Sequence, residues 1–200
     1  MDGDRFMPKT EITRADIIPM DEYAKTRKER RAAVTVMKRD RRVSCGPDAT
    51  FYFENFDTMW HQVHEMLYIE KGGEEQIPDE LAAYNPLIPN GRELVATLMF
   101  EIEDENRRRA FLAGLGGVEE TITLEFDGNT VKGMPEDDVD RTTADGKASS
   151  VQFIHFPFTD EQAKAFKESS RAVLGIGHPK YGHLAVLTDA THKALAADLA

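Results

Sequence analysis

The residues best equipped for chemistry gather in one stretch, Asp57 to Lys71, which reads D-T-M-W-H-Q-V-H-E-M-L-Y-I-E-K. At about 100° per residue, Met59, Trp60, Val63, Met66 and Leu67 share one face of a helix. His61, His64, Glu65 and Tyr68 fall in the adjacent sector. Spacings of three and four residues bring helical side chains together, and imidazole with carboxylate is a donor set for zinc or iron. The order H-x-x-H-E differs from the helical zinc signature, where two histidines stand four apart and a glutamate follows the first. A second stretch, G-I-G-H-P-K-Y-G-H from Gly175 to His183, adds His178, Tyr181 and His183. Two readings of it stand. In one, Pro179 stiffens a glycine-flanked loop that closes over the first helix. A cleft then holds His61, His64, Glu65, Tyr68, His178, Tyr181 and His183, with His64, Glu65, His178 and His183 as ligands of zinc or iron. In the other, the stretch is a plain strand–turn–strand, Tyr181 covers the sheet, and both histidines are solvated.

Other reactive residues carry less. Cys45 is the lone cysteine and has no internal disulfide partner; in the strand-like R-V-S-C-G it reads as a small buried hydrophobe, with a redox thiol as the alternative. His155 alternates with phenylalanines along a strand and reads as a satisfied core or edge histidine. Gly114 to Gly117 follows a helix and lacks the Lys-Ser/Thr ending of a phosphate loop. No serine sits in a nucleophile elbow.

These residues need elements to hold them. Asp57 is expected to cap the histidine-bearing helix, and Gly72-Gly73 to end it. Upstream, Asp21 is expected to cap a helix to about Lys38, with Tyr23, Ala24, Val34 and Met37 as its apolar positions. Arg42 to Cys45 and Ala49 to Glu54 predict a hairpin across Gly46-Pro47-Asp48. Pro78 opens a short helix, and Y-N-P-L-I-P-N-G, Tyr84 to Gly91, is expected to be ordered with Leu87 and Ile88 in the core. From Glu93 onward the order strand–helix–strand–strand occurs twice: strand Glu93 to Ile102, helix Asp104 to Ala113, and strands Glu119 to Phe126 and Thr130 to Met134 across Asp127-Gly128-Asn129; then strand Ser150 to Phe158, helix Asp160 to Ser169, and strands Ala172 to Ile176 and His183 to Leu187. F-E-I-E-D-E-N-R-R-R-A-F matches F-P-F-T-D-E-Q-A-K-A-F once a residue is dropped. That order is compatible with a duplication and equally with shared capping rules. The turn-rich Met134 to Lys147 reads as a surface loop, Met1 to Thr10 as frayed, and a last helix is expected from Thr188 with His192 exposed.

With 40 % hydrophobic and 30 % charged residues the composition is that of a globular protein. No apolar run nears the roughly 20 residues a membrane span needs. The first ten residues have no signal-peptide shape, so a cytoplasmic location is expected. The net charge of −11 argues against nucleic-acid binding by the whole surface. Met20 to Arg42 runs the other way, with nine Lys/Arg against four Asp/Glu: a solvated face, or a dock for an acidic partner.

T-R-A-D-I-I-P-M-D-E-Y-A, R-R-V-S-C-G-P-D-A-T-F-Y-F-E, Glu65-Met66-Leu67 with Glu70, and above all E-L-A-A-Y-N-P-L-I-P-N-G together resemble an uncharacterised bacterial family, domain-of-unknown-function family 3501. The resemblance covers nearly the whole chain. It implies a redox or oxidative-stress setting, with a rubrerythrin-like or iron–sulfur protein as partner, and implies no mechanism. The fold expected is α+β: a mixed, mainly antiparallel sheet with packed helices, a helical region with one hairpin over 1–92, an α+β region over 93–200, and one compact domain. Two functions compete. One is a non-catalytic accessory protein docking through the basic helix; the other is a metal-dependent enzyme using the His/Glu cluster.

Overall fold

The computed structural model describes residues 9–136 and 147–200. Most of the expected Met134 to Lys147 loop, and most of Met1 to Thr10, lies outside the described residues. The fold is α+β, with two antiparallel sheets packed face to face and helices on the outside and at the ends.

Strands β1 (Arg42–Cys45) and β2 (Ala49–Phe53) form the expected hairpin. β2 pairs with β3 (Glu93–Phe100), β3 with β7 (Val151–Pro157), and β7 with the short β6 (Met134–Pro135). The result is a five-stranded sheet in the order β1-β2-β3-β7-β6. β4 (Ile122–Phe126), β5 (Asn129–Lys132), β8 (Ala172–His178) and β9 (Tyr181–Val186) build a four-stranded sheet in the order β5-β4-β8-β9. The two strand–helix–strand–strand units therefore meet strand for strand: β3 against β7 in one sheet and β4 against β8 in the other, both antiparallel. The sheet also crosses the 92/93 boundary, because β2 hydrogen-bonds to β3.

Period-two alternation decides what each face buries. Phe51, Phe53, Ala96, Leu98, Ile154 and Phe156 point inward from the five-stranded sheet to meet Ile122, Leu124, Leu174 and Ile176 from the other. α4 (Glu105–Ala113), α5 (Asp160–Glu168) and α6 (Asp189–Ala196) close this core with Leu112, Phe166 and Leu195. Asp104, Thr159 and Thr188 cap these three helices by accepting a main-chain N–H of the first turn. The outer face of the five-stranded sheet carries a second core. There Val95 packs with Ile12, Ile17, Met59, Val63, Leu67, Ile77, Leu87 and Ile88. These come from the N-terminal segment, α2 (Phe56–Glu70), α3 (Ile77–Tyr84) and the loop after it. Leu87 and Ile88 are buried as expected.

Several local expectations change. The stretch expected as strand from Glu119 begins as a 3-10 turn, Val118–Thr121, before β4. The strand expected over Thr130 to Met134 divides at Gly133, where the chain leaves one sheet for the other. A Cβ there would stand 2.7 Å from Ile154 Cγ2 and 3.1 Å from Ile122 Cγ2, so the crossing is threaded between the sheets. His192 is not exposed: its Nε2 lies 2.8 Å from the Phe166 carbonyl and 3.0 Å from Ser169 Oγ, and its ring packs on Phe166. Arg41 and Asp198 form a buried two-pronged ion pair, with Nη2–Oδ1 at 2.6 Å and Nη1–Oδ2 at 2.8 Å, that ties the start of β1 to the end of the chain.

Candidate functional site

The chemistry-bearing helix α2 lies against α1 (Met20–Arg39). Asn55, not Asp57, caps α2: its side chain accepts from Thr58 N at 2.9 Å, and Thr58 Oγ1 accepts from Asn55 N at 2.9 Å. The reciprocal pair satisfies two donors at once and places the start two residues earlier than expected. Lys71, at φ 57°, ends the helix in the left-handed conformation ahead of the expected glycines. α1 begins after Pro19, so Asp21 lies within its first turn and is not its cap.

Of the twenty residues of α1 only Tyr23 is fully buried, and α2 organises itself around it. The Tyr23 hydroxyl donates to Glu65 Oε1 at 2.7 Å and lies 3.1 Å from His61 Nδ1. Because the phenol proton is directed at Glu65, His61 Nδ1 carries the hydrogen of the second bond. Arg27 donates to both Glu65 oxygens, at 2.8 and 2.9 Å, and its guanidinium lies over the Tyr68 ring at 4.7 Å. One turn further, Arg30 covers Trp60 at 4.7 Å. Trp60 in turn packs on His64 with ring centroids 3.7 Å apart. Its indole N–H donates to the Asp16 carbonyl at 2.9 Å, so Trp60 is half-buried, in a cation–aromatic stack at the edge of the second core.

The protonation states follow from these contacts. Arg27 holds the Glu65 carboxyl below its ordinary range. Burial, reinforced by the Glu65 hydrogen bond, pushes the Tyr23 phenol up and keeps it protonated. Burial lowers His61 and brings His64 down to about 4. His64 donates from Nδ1 to the Trp60 carbonyl at 2.7 Å and accepts at Nε2 from Ile18 N–H at 3.2 Å. Both of its nitrogens are thus engaged, and no lone pair is left for a metal.

The other half of the expected cleft lies elsewhere. Gly175 to His183 is the β8–β9 hairpin, the strand–turn–strand reading. Tyr181 is buried; its hydroxyl accepts from Asp48 N and Ala49 N at 2.9 and 3.0 Å and donates to the Cys45 carbonyl at 2.9 Å. It belongs to the core between the sheets, whereas α2 packs on the opposite face of the five-stranded sheet. That sheet separates Tyr181 from α2. His183 packs on the Tyr181 ring at 4.4 Å, and His178 Nδ1 accepts from Lys180 N at 3.2 Å within the turn. His183 and His178 are half-buried, not fully solvated. The structure therefore joins His61, Glu65 and Tyr68 in one cluster, packs His64 beside it, and keeps His178, Tyr181 and His183 apart. Among the described residues no group of three or more His, Cys, Asp or Glu is placed to hold a metal ion. Cys45 is buried and its thiol is pushed up to about 11 by desolvation, the opposite of a reactive thiolate. His155 is satisfied as expected, with Nδ1 2.9 Å from Glu93 Oε2.

Sequence reasoning missed Tyr23, Arg27 and Arg30 as site residues, although a signal was present. Their i, i+4, i+7 spacing is one stripe of a helix, and α1 presents that stripe to α2.

The cluster is a helix-pair clamp in which the polar groups are matched to one another, carried on an α+β double-sheet scaffold. The chain belongs to the family described as protein of unknown function (DUF3501), whose model matches residues 11–199. A solved structure from Burkholderia pseudomallei K96243, described as a novel protein of unknown function, is similar to it at 36 % sequence identity. The match has a TM-score of 0.88 and covers 94 % of this chain and 99 % of that one. No curated protein matches the chain.

Proposed function

We propose that this is a non-catalytic cytoplasmic interaction protein that docks on an acidic protein partner through the outward face of α1. The observation that carries the reading is the disposition of that helix. Tyr23, Arg27 and Arg30 fasten one stripe to α2, Met20, Val34 and Met37 are partly buried beside it, and the opposite face is offered to solvent. The exposed face holds Lys25, Lys28, Arg31 and Arg39 against Asp21, Glu22 and Glu29, with Ala32, Ala33 and Val36 among them, and Val36 is 57 % exposed. The Lys25, Lys28 and Arg31 cluster beside exposed Val36, on a protein of net charge −11, favours an acidic surface by charge and holds it by burial. The rubrerythrin-like and iron–sulfur proteins implied by the family resemblance are the partner class to try. The metal-enzyme reading has no comparable support, because His64 has both nitrogens engaged.

The test is a titration of the purified chain against purified rubrerythrin-like and iron–sulfur proteins of its host at low and high salt. Binding is expected to weaken with salt and to fall at least tenfold in the triple variant Lys25→Glu, Lys28→Glu, Arg31→Glu. A triple variant that binds as wild type does would remove α1 as the dock. Absence of binding to either protein class would remove the redox partner.

A further inference from the structure

On the far side of α2 from the Tyr23 clamp, a cavity of about 310 Å³ opens between the outer face of the five-stranded sheet and helices α2 and α3. Met59, Tyr84, Leu87, Met99, Val151 and Phe153 give it a largely apolar wall. The volume is at the small end of the range for ligand sites, and an apolar wall with a few polar groups is their usual make-up. Lys38, Tyr52, Gln62 and Thr97 also reach the lining, and the deeply buried charged group among its residues is Glu54, only 4 % exposed.

Glu54 is held in an unusual way. Thr58 Oγ1 donates to Oε2 at 2.7 Å and Thr97 Oγ1 donates to Oε1 at 2.8 Å. Both donors are neutral hydroxyls: they fix the carboxylate's direction, leave about half its lone-pair positions open, and bring no countercharge. Among the described residues no cation lies within ion-pair distance of it. Arg41 is near, but it donates to the main-chain carbonyl of Glu54 at 3.3 Å and pairs its charge with Asp198. Lys38 shares the cavity lining without reaching ion-pair distance. Two other buried carboxylates, Asp48 and Asp198, each meet a guanidinium, from Arg107 and Arg41; among the described residues Glu54 meets none. A buried carboxylate without a cation is costly, and an ammonium group brought by a ligand would offset that cost.

We propose that this cavity is a binding site for a small amine: an apolar body of about benzene to hexyl size lies among Met59, Leu87, Met99, Val151 and Phe153, and its ammonium group pairs with Glu54. The threonine hydroxyls pre-organise the carboxylate, so the charge-assisted bond forms without reorganisation. The site stands apart from the α1 docking face and does not depend on it.

Calorimetric titration of the full chain with phenethylamine and hexylamine, beside the neutral alcohols of the same shape, tests the proposal. The amines are expected to bind with Kd below about 1 mM and the alcohols at least tenfold more weakly. Glu54→Gln is expected to reduce amine affinity at least tenfold and to erase the preference over the alcohol. Since Glu54→Gln also perturbs the Thr58 and Thr97 contacts, Val151→Phe serves as a second variant; it fills the cavity from a strand position, leaves Glu54 in place, and is expected to abolish binding. Equal affinity for amine and alcohol, unchanged amine affinity in either folded variant, or no binding of either amine overturns the proposal.

Discussion

His64 and His155 show how one side-chain type is set to opposite tasks by its surroundings. His64 is fully buried, stacked on Trp60, and neutral at both hydrogen-bonded nitrogens. Its pKa of about 4 lies below the unfolded value near 6.5, so the unfolded chain binds the extra proton first. Stability is therefore unaffected above about pH 6.5 and falls as the pH drops from there towards 4. Between pH 7 and pH 5 this one residue is expected to remove about 2 kcal/mol. His155 has the reverse sign: Glu93 raises its pKa, so its contribution is complete at low pH and is lost as the pH rises through the folded value. Imidazole NMR titration of the folded protein should place His64 near 4 and His155 above the ordinary value. Urea melts of His64→Gln should lose less stability between pH 7 and pH 5 than the wild type, and an equal loss would deny His64 this role.

At the scale of elements, the β1–β2 turn joins the two sheets. Gly46 has φ +76°, and a Cβ there would meet His183 Cδ2 and the Tyr181 hydroxyl at 2.6 Å. Tyr181 cannot move aside, because its hydroxyl holds Asp48 N, Ala49 N and the Cys45 carbonyl. Left-handed backbone costs an alanine roughly 1–2 kcal/mol, and the overpacking adds to it. Gly46→Ala is expected to lower unfolding stability by about 2–4 kcal/mol in chemical denaturation. A change inside experimental error would mean that the hairpin is not held against β9 as described.

On the scale of the molecule, the two hydrophobic cores share a wall. β3 sends Ala96 and Leu98 into the core between the sheets and Val95 into the core beneath α2. Neither core can lose its packing while that strand keeps both sets of neighbours, so the helical N-terminal region and the double sheet should unfold together. Trp60, the lone tryptophan, reports on the helical layer, and far-ultraviolet circular dichroism reports on the whole. The two signals are expected to give one coincident denaturation midpoint. A fluorescence transition that clearly precedes the dichroism would show that the helical layer is a separate unit.

Much of this architecture was legible in the chain. The Thr188 cap, the Gly46 and Asp127-Gly128 turns, the alternation that buries Phe51 and Phe53, and the burial of Leu87 and Ile88 all follow from spacing and from what each backbone position tolerates. Such features depend on neighbours within a few residues, which is the range over which capping, turn chemistry and periodicity act. The choice of Asn55 over Asp57 lies within that range too, but two acceptors two residues apart compete for the same first turn, and only the formed helix shows which N–H is met. The site was decided at longer range. Tyr23 meets Glu65 across 42 residues, Tyr181 meets Asp48 across 133, and Arg41 meets Asp198 across 157. Those distances are closed by the order of strands in two sheets and by which face of β3 each helix covers, and neither is encoded in local periodicity. The sequence therefore determined that α2 carries imidazole, phenol and carboxylate on one side. The tertiary structure decided that a tyrosine and an arginine from α1 complete that cluster, that the β8–β9 histidines lie elsewhere, and that Glu54 is buried beside a largely apolar cavity with no cation paired to it among the described residues.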